Sequence, residues 1–239
     1  MLPFEDDRML AIGGRQVTCT VMVPESRAWC SAGVLLVHDI FGLTNVTRNH
    51  AIRLAEAGYT VVAPDLFPAG STRASCVFKT MRDFRRRSGT SWEILDSARA
   101  ALTDDYGVDP ERVGAMGFCL GGSFALLFAQ RANLAVAAPF YGEVPSEVLE
   151  SHALCPVVGG WGKRDRLFRR HGQRLEEHLT AEGIDHDIAL YPEVGHSYMD
   201  DHLGFLARLG RYSPLRAAYD PVATDDSWLR VLAFFDAHL

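Results

Sequence analysis

Apolar and polar positions along the chain follow two rhythms, and the switches between them lay out its elements. Residues 16–23 alternate by twos, with Val17, Cys19, Val21 and Val23 set against Thr18, Thr20 and Met22, which predicts an antiparallel edge strand. Residues 34–37 (Val-Leu-Leu-Val) make a short unbroken apolar run, the pattern of a strand buried on both faces. Residues 46–57 then carry apolar positions at helical spacing, with Gly58 as the stop. Further strands are predicted at 59–63, 113–118, 135–140, 155–160 and 187–191. Helices are predicted at 92–102, capped by Ser91, and at 120–129, 173–182 and 228–238. Two stretches, 67–89 and 200–225, fit the alternation poorly and are read as loops of the kind that gather where ligands sit.

Strands alternating with helices call for parallel βαβ units and helices on both faces of a sheet. With its antiparallel start, the order is that of the α/β-hydrolase fold: a mostly parallel sheet in a single domain over 1–239. Composition agrees, since 239 residues at 48% hydrophobic and 23% charged build a core without disulfide or metal. A formal net charge of -6 argues against nucleic acid or an anionic membrane as partner. The basic run 82–87, broken by Asp83 and Phe84, reads as a solvated helix face ahead of a binding role. Five cysteines without a CxxC pair suit a reducing compartment. The N-terminus has no signal-peptide pattern, and no stretch reaches the roughly 20 apolar residues that span a bilayer. The expectation is a cytoplasmic monomer or small homo-oligomer.

The chemistry concentrates at Gly117-Phe118-Cys119-Leu120-Gly121-Gly122, a Gly-x-nucleophile-x-Gly pattern at a strand-to-helix junction. A sharp turn there strains the nucleophile's backbone, and the glycines leave room for it. The helix N-terminus favours thiolate, and the Leu120 N–H faces a developing oxyanion. The other reading of Cys119, a small buried hydrophobe, is the one accepted for Cys19, Cys30, Cys76 and Cys155.

The partners of such an elbow follow in the order acid, then histidine. His196, in Glu193-Val194-Gly195-His196-Ser197, directly follows a predicted strand and is the candidate base. His171, His178 and His186 lie on or beside a charged helix, where solvent exposure is expected. Asp165 ends the glycine-bearing segment 157–165 and is the candidate acid; capping the next helix is a second, compatible reading. Upstream, His38-Asp39-Ile40-Phe41-Gly42 ends the first buried strand. The Ile40 N–H is assigned as second oxyanion donor, and Asp39 needs a partner, the thiol among the choices.

With these residues assembled, the chain resembles the dienelactone hydrolase family. The likeness covers nearly the whole chain: HDIFGL at 38–43, APDLFP at 63–68, GFCLGG at 117–122, GKRD at 162–165 and EVGHSY at 193–198. It implies hydrolysis of a cyclic enol ester through a Cys–His–Asp triad without cofactor. In the family an acid at the position of Asp39, usually glutamate, holds the resting thiol and helps activate it. Family members also hold a substrate carboxylate with two arginines. Here the segment after the histidine reads Met199-Asp200-Asp201-His202 and carries none. Arg82 is chosen for the other, and Phe41, Tyr141 and Trp161 complete the candidate substrate-binding residues.

The mechanism expected is attack by Cys119, a thioester acyl-enzyme, and hydrolysis by water activated by His196. The ligand is a small ester or lactone. Two rivals remain: a non-catalytic small-molecule binder on the same fold, and a metal site from His196, Asp200, Asp201 and His202, whose spacing matches no known ligand pattern.

Overall fold

The computed structural model describes residues 4–12, 15–25, 31–67, 70, 72–202 and 209–239. Cys30 and Pro68 lie outside the described residues, as does part of the 200–225 stretch. The chain groups into two compact units, 1–115 and 116–239.

In the first unit, strands β1 (Phe4–Ile12), β2 (Arg15–Val23), β3 (Gly33–Val37) and β4 (Thr60–Pro64) line up in the order β1-β2-β4-β3. β2 runs antiparallel to both its neighbours, pairing Val23 with Phe4 and Cys19 with Pro64, while β3 and β4 are parallel. β3 and β4 are buried along their whole length, as unbroken apolar runs require. Helix α1 (Asn45–Glu56) ends where Gly58 takes φ +102, a conformation that favours glycine.

Three expectations for this unit need correction. β2 is antiparallel but not an edge, because β1 pairs along its outer side, and β2 is buried on both faces from Cys19 onward. The stretch 67–89 is not a loop: it holds helix α2 (Arg73–Arg86), capped by the Thr72 hydroxyl and closed by Arg87 at φ 55. Its buried stripe is Cys76, Thr80, Asp83 and Phe84, at helical spacing but half polar. Ser91 is no cap, since α3 (Thr90–Asp104) starts after Gly89. Ser91 instead gives its N–H and hydroxyl to the buried Asp83 carboxylate (3.2 and 3.1 Å).

β5 (Val113–Phe118) crosses from the first unit into the second, where it neighbours β6 (Val136–Phe140). β7 (Val157–Gly162) and β8 (His186–Tyr191) continue in parallel, pairing Ala137 with Val157 and Val157 with His186. Between them run α4 (Leu120–Ala132), the short α5 (Ser146–Leu149) and α6 (Arg169–Glu182). Helix α7 (Pro221–His238) closes the chain; both α6 and α7 pack on β7 and β8. α6 and α7 start four and seven residues earlier than expected, so 200–225 is partly helical. Among the described residues no helix is long and apolar enough to cross a membrane.

Packing at the β5–α4 junction is backbone against backbone. A Cβ on Gly122 would lie 2.8 Å from the Phe140 carbonyl oxygen and 3.0 Å from that of Gly117. Neither neighbour is a flexible side chain that can swing away. Gly122→Ala is therefore expected to destabilise the protein by about 1–3 kcal/mol, measured by urea unfolding. An unchanged midpoint would show that α4 can lift off β6 at no cost.

Candidate active site

Cys119 stands at the carboxyl end of β5 and immediately before α4, with φ 54 and ψ -119. A non-glycine residue held there costs on the order of 1–3 kcal/mol. The surroundings enforce it. The Cys119 N–H donates to Phe140 O (3.0 Å), and a Cβ on Gly117 would collide with the backbone of Gly121. The thiol is half-buried at the positive end of a 13-residue helix whose first turn holds no acid. Leu120, the first helical residue, is also half-buried. Burial pushes Cys19 and Cys155 up to about 12, with Asp65 adding to the effect at Cys19.

His196 follows β8 on a loop tied down by its own N–H to Leu215 O (2.9 Å). Its Nδ1 lies 2.7 Å from Oδ2 of Asp165, and both residues are at least 98% buried. The carboxylate can only accept, so Nδ1 carries the proton. The ring lies between two others, with the Tyr141 and Phe168 centroids each 5.1 Å away. Nε2 is buried and has no hydrogen-bond partner. Burial pulls the imidazole down, but the Cys119 charge, the Asp165 hydrogen bond and the nearby thiol outweigh it and push the ring up to about 10. Cys119 is thus among the groups that act on the His196 ring, while Nε2 itself has no formed hydrogen bond. Loose nucleophile–base geometry is common in unliganded sites.

Asp165 does not cap α6, whose cap position is Phe168 without a side-chain cap bond, yet both its oxygens are engaged. Oδ2 meets the histidine, while Oδ1 accepts the N–H groups of Leu167 (2.9 Å) and Phe168 (3.0 Å) just ahead of α6. The same turn that fixes the acid delivers Phe168 to the imidazole.

Tyr141, directly after β6, is fully buried at φ 42, and its hydroxyl donates to Asp200 Oδ2 (2.7 Å). Trp161 is buried, and its indole N–H donates to Gly142 O (2.9 Å), so the indole packs this unit together. The histidines expected to be exposed are half-buried and bonded. His171 Nδ1 accepts the Val144 N–H, His178 meets Ser151 O, and His186 meets Ile184 O. Burial holds His171 low, against the pull of Glu143. Of the residues proposed for a metal, His196 is bound to Asp165 and Asp200 to Tyr141. Phe168 escaped the sequence reading, although its place three residues after Asp165 was a usable signal.

In the first unit, His38 Nε2 accepts the Leu66 N–H (2.9 Å) and its Nδ1 donates to Asp39 O (2.7 Å), a structural role. Asp39 is buried, and its Oδ1 accepts the Phe41 N–H (2.7 Å). Ile40 is exposed in that turn, and Phe41 is half-buried, with the Arg73 guanidinium 5.7 Å from its ring. Arg82 is exposed on α2 and lies 3.5 Å from Asp83.

The chain is similar to known proteins along its length. The model of the dienelactone hydrolase family matches residues 18–239. A carboxymethylenebutenolidase of Rhodococcus opacus is 33% identical over 218 residues, covering 86% of this chain and 81% of that protein. Among solved structures, a dienelactone hydrolase-like promiscuous phosphotriesterase from metagenomic libraries superposes with TM-score 0.81 at 21% identity, over 100% of this chain and 99% of that one. A dienelactone hydrolase from Anabaena variabilis gives TM-score 0.68 at 18% identity, with complete coverage of both chains. These likenesses bear out the α/β-hydrolase fold read from the sequence, and the family match identifies the chain as a member of the dienelactone hydrolase family of hydrolases.

Proposed function

We propose that this protein hydrolyses carboxylic ester or lactone bonds with Cys119 as nucleophile, His196 as proton carrier and Asp165 as the orienting acid. One observation carries the reading. A buried imidazole is locked to a carboxylate through Nδ1, while its other nitrogen is left without a partner yet feels the charge of the elbow thiol. A core histidine with only a packing role would have both nitrogens satisfied.

The attacking sulfur is the thiolate, with its proton carried by His196. Sulfur attacks the acyl carbon, and the Leu120 N–H stabilises the oxyanion. The second donor, Ile40, comes from the fold pattern, and the thiol-holding role of Asp39 comes from the family pattern. As the tetrahedral adduct collapses, His196 gives its proton to the leaving oxygen, and a thioester remains. Water then loses a proton to the neutral His196 and attacks the thioester; the thiolate leaves and the pair is restored. Enol esters and lactones suit a thiol because their oxygen leaves readily. The family match runs through both compact units, which supports one functional domain over 1–239.

Cys119→Ala is expected to abolish ester hydrolysis, and Asp165→Asn to lower kcat by roughly three to four orders of magnitude. In the unsubstituted protein at pH 7, iodoacetamide should label Cys119 ahead of Cys19 and Cys155, read by peptide mass spectrometry. Full turnover in Cys119→Ala would overturn the assignment.

The raised His196 predicts a pH signature. A folded value above the ordinary 6.5 means that its protonation stabilises the fold fully below about pH 6.5, a contribution lost as pH climbs toward 10. The His196 ring signals in NMR should therefore stay at their imidazolium positions through pH 8. A midpoint near 6.5 would remove the ion pair from the mechanism.

The segment after His196 buries Met199 and Asp200, and Asp200 is held by Tyr141 beside the imidazole. An acid where the family places an arginine disfavours an anionic substrate. Neutral aryl esters and simple lactones should show higher kcat/KM than carboxylated dienelactones; the reverse order would show that another cation binds the substrate carboxylate.

A further inference from the structure

The first turn of α6 breaks a local electrostatic rule. A helix N-terminus carries partial positive charge, which acids stabilise and cations oppose. Yet α6 opens with Arg169 and Arg170 and has no acidic residue in its first turn. The conflict is not confined to one helix. A cleft of about 610 Å³ in the second unit is lined by Lys163, Arg164, Arg166, Arg169, Arg211 and Arg216. Thus 6 of the chain's 24 lysines and arginines face one concavity, in a protein of net charge -6.

Two carboxylates share the lining, and both are engaged. Glu193 pairs with Arg164, and Asp220 accepts the Ala223 N–H (2.9 Å) to cap α7. Among the described residues no carboxylate pairs with Lys163, Arg166, Arg169 or Arg211. A basic surface that merely solvates the protein would spread its cations over a convex face. Here they converge, and their mutual repulsion adds to that of the helix end. Such a conflict between levels marks a functional place.

We propose that this cleft binds a small polyanion of the phosphate type, carrying several negative charges on linked phosphoryl groups. Five of the six cations are arginines, whose planar forks match phosphate oxygens two at a time. The volume falls within the range of small-molecule sites, roughly 300–1,000 Å³. Cations arranged around a wall suit a ligand with more than one anionic group. The negative charge of the whole chain opposes a long nucleic acid. Neither Cys119, His196 nor Asp165 lines the cleft, so this inference stands apart from the thiol mechanism.

Isothermal titration of the full-length protein with inorganic pyrophosphate at low salt tests it, with citrate as the carboxylate comparison. Pyrophosphate is expected to bind one to one, to weaken as salt rises, and to lose roughly tenfold or more in affinity in Arg166→Ala/Arg169→Ala. Binding should be unchanged in Cys119→Ala, which separates the cleft from the thiol. Without ligand, Arg169→Ala should melt no lower than the parent, because it removes a cation from the positive end of α6. No binding at millimolar pyrophosphate, an affinity indifferent to the double substitution, or tighter binding of citrate would each overturn the proposal. So would a lower melting temperature in Arg169→Ala.

Discussion

The Asp165 carboxylate is the constraint on which the candidate site depends. A buried carboxylate needs compensation, and here it comes from three donors: two backbone N–H groups on Oδ1 and the imidazole on Oδ2. The backbone donors belong to the turn between β7 and α6, so the acid is fixed by secondary structure and not by a mobile side chain. Fixing Oδ2 fixes the histidine tautomer, which leaves Nε2 as the nitrogen available for chemistry. Phe168, supplied by the same turn, bears on the imidazole ring. Position, tautomer and packing of the imidazole therefore trace to one residue. The raised His196 is a consequence, because a locked Nδ1–H and a nearby sulfur both favour the charged ring over the cost of its burial.

Strain is concentrated around this arrangement. Among the described residues six non-glycine positions have positive φ, and Cys119, Tyr141 and Ser197 are three of them. Each sits just beyond β5, β6 or β8, and Ser197 is next to the base. Such conformations persist only where neighbours over-determine them. The close approach of α4 to β6, with Gly122 and Gly142 held within 3.1 Å of backbone atoms for any added Cβ, supplies that rigidity. Elements packed at backbone distance cannot relax one at a time, so the elbow retains its geometry without substrate. That is the preorganisation a nucleophile needs.

Legibility in the sequence followed the range of the interactions. The elbow was readable because strand, glycines, nucleophile and helix start all lie within ten residues. His196 and Asp165 were readable because each follows a strand in the order the elbow demands. β1 was not, since its outer position depends on pairing with β2, although Gly13-Gly14 offered a hairpin signal. α2 was missed because half its buried stripe, Thr80 and Asp83, is polar, and Asp83 is satisfied by a partner, Ser91, that no periodicity announces. The start of α7 was written in Asp220-Pro221, a capping acid followed by proline at the first helical position; weight given to apolar spacing hid it. The roles of Trp161 and His171 could not be read locally, because their partners, Gly142 and Val144, lie 19 and 27 residues away.

Charge separates two regions of the second unit. Beside the imidazole, Asp165 and Asp200 are both buried, and Asp200 is held through Tyr141, whose ring also meets His196. Around the cleft at 163–169 and 211–216, cations prevail. The same backbone joins them: Arg164 and Arg166 flank Asp165, and Arg164 N–H bonds Val194 O two residues before His196. A carboxylated ligand drawn to the basic wall would find acids, not cations, beside the imidazole. Neutral acyl groups feel neither bias. Within the second unit, then, the concavity rich in cations and the buried carboxylates beside His196 are opposite electrostatic environments joined by one short stretch of backbone.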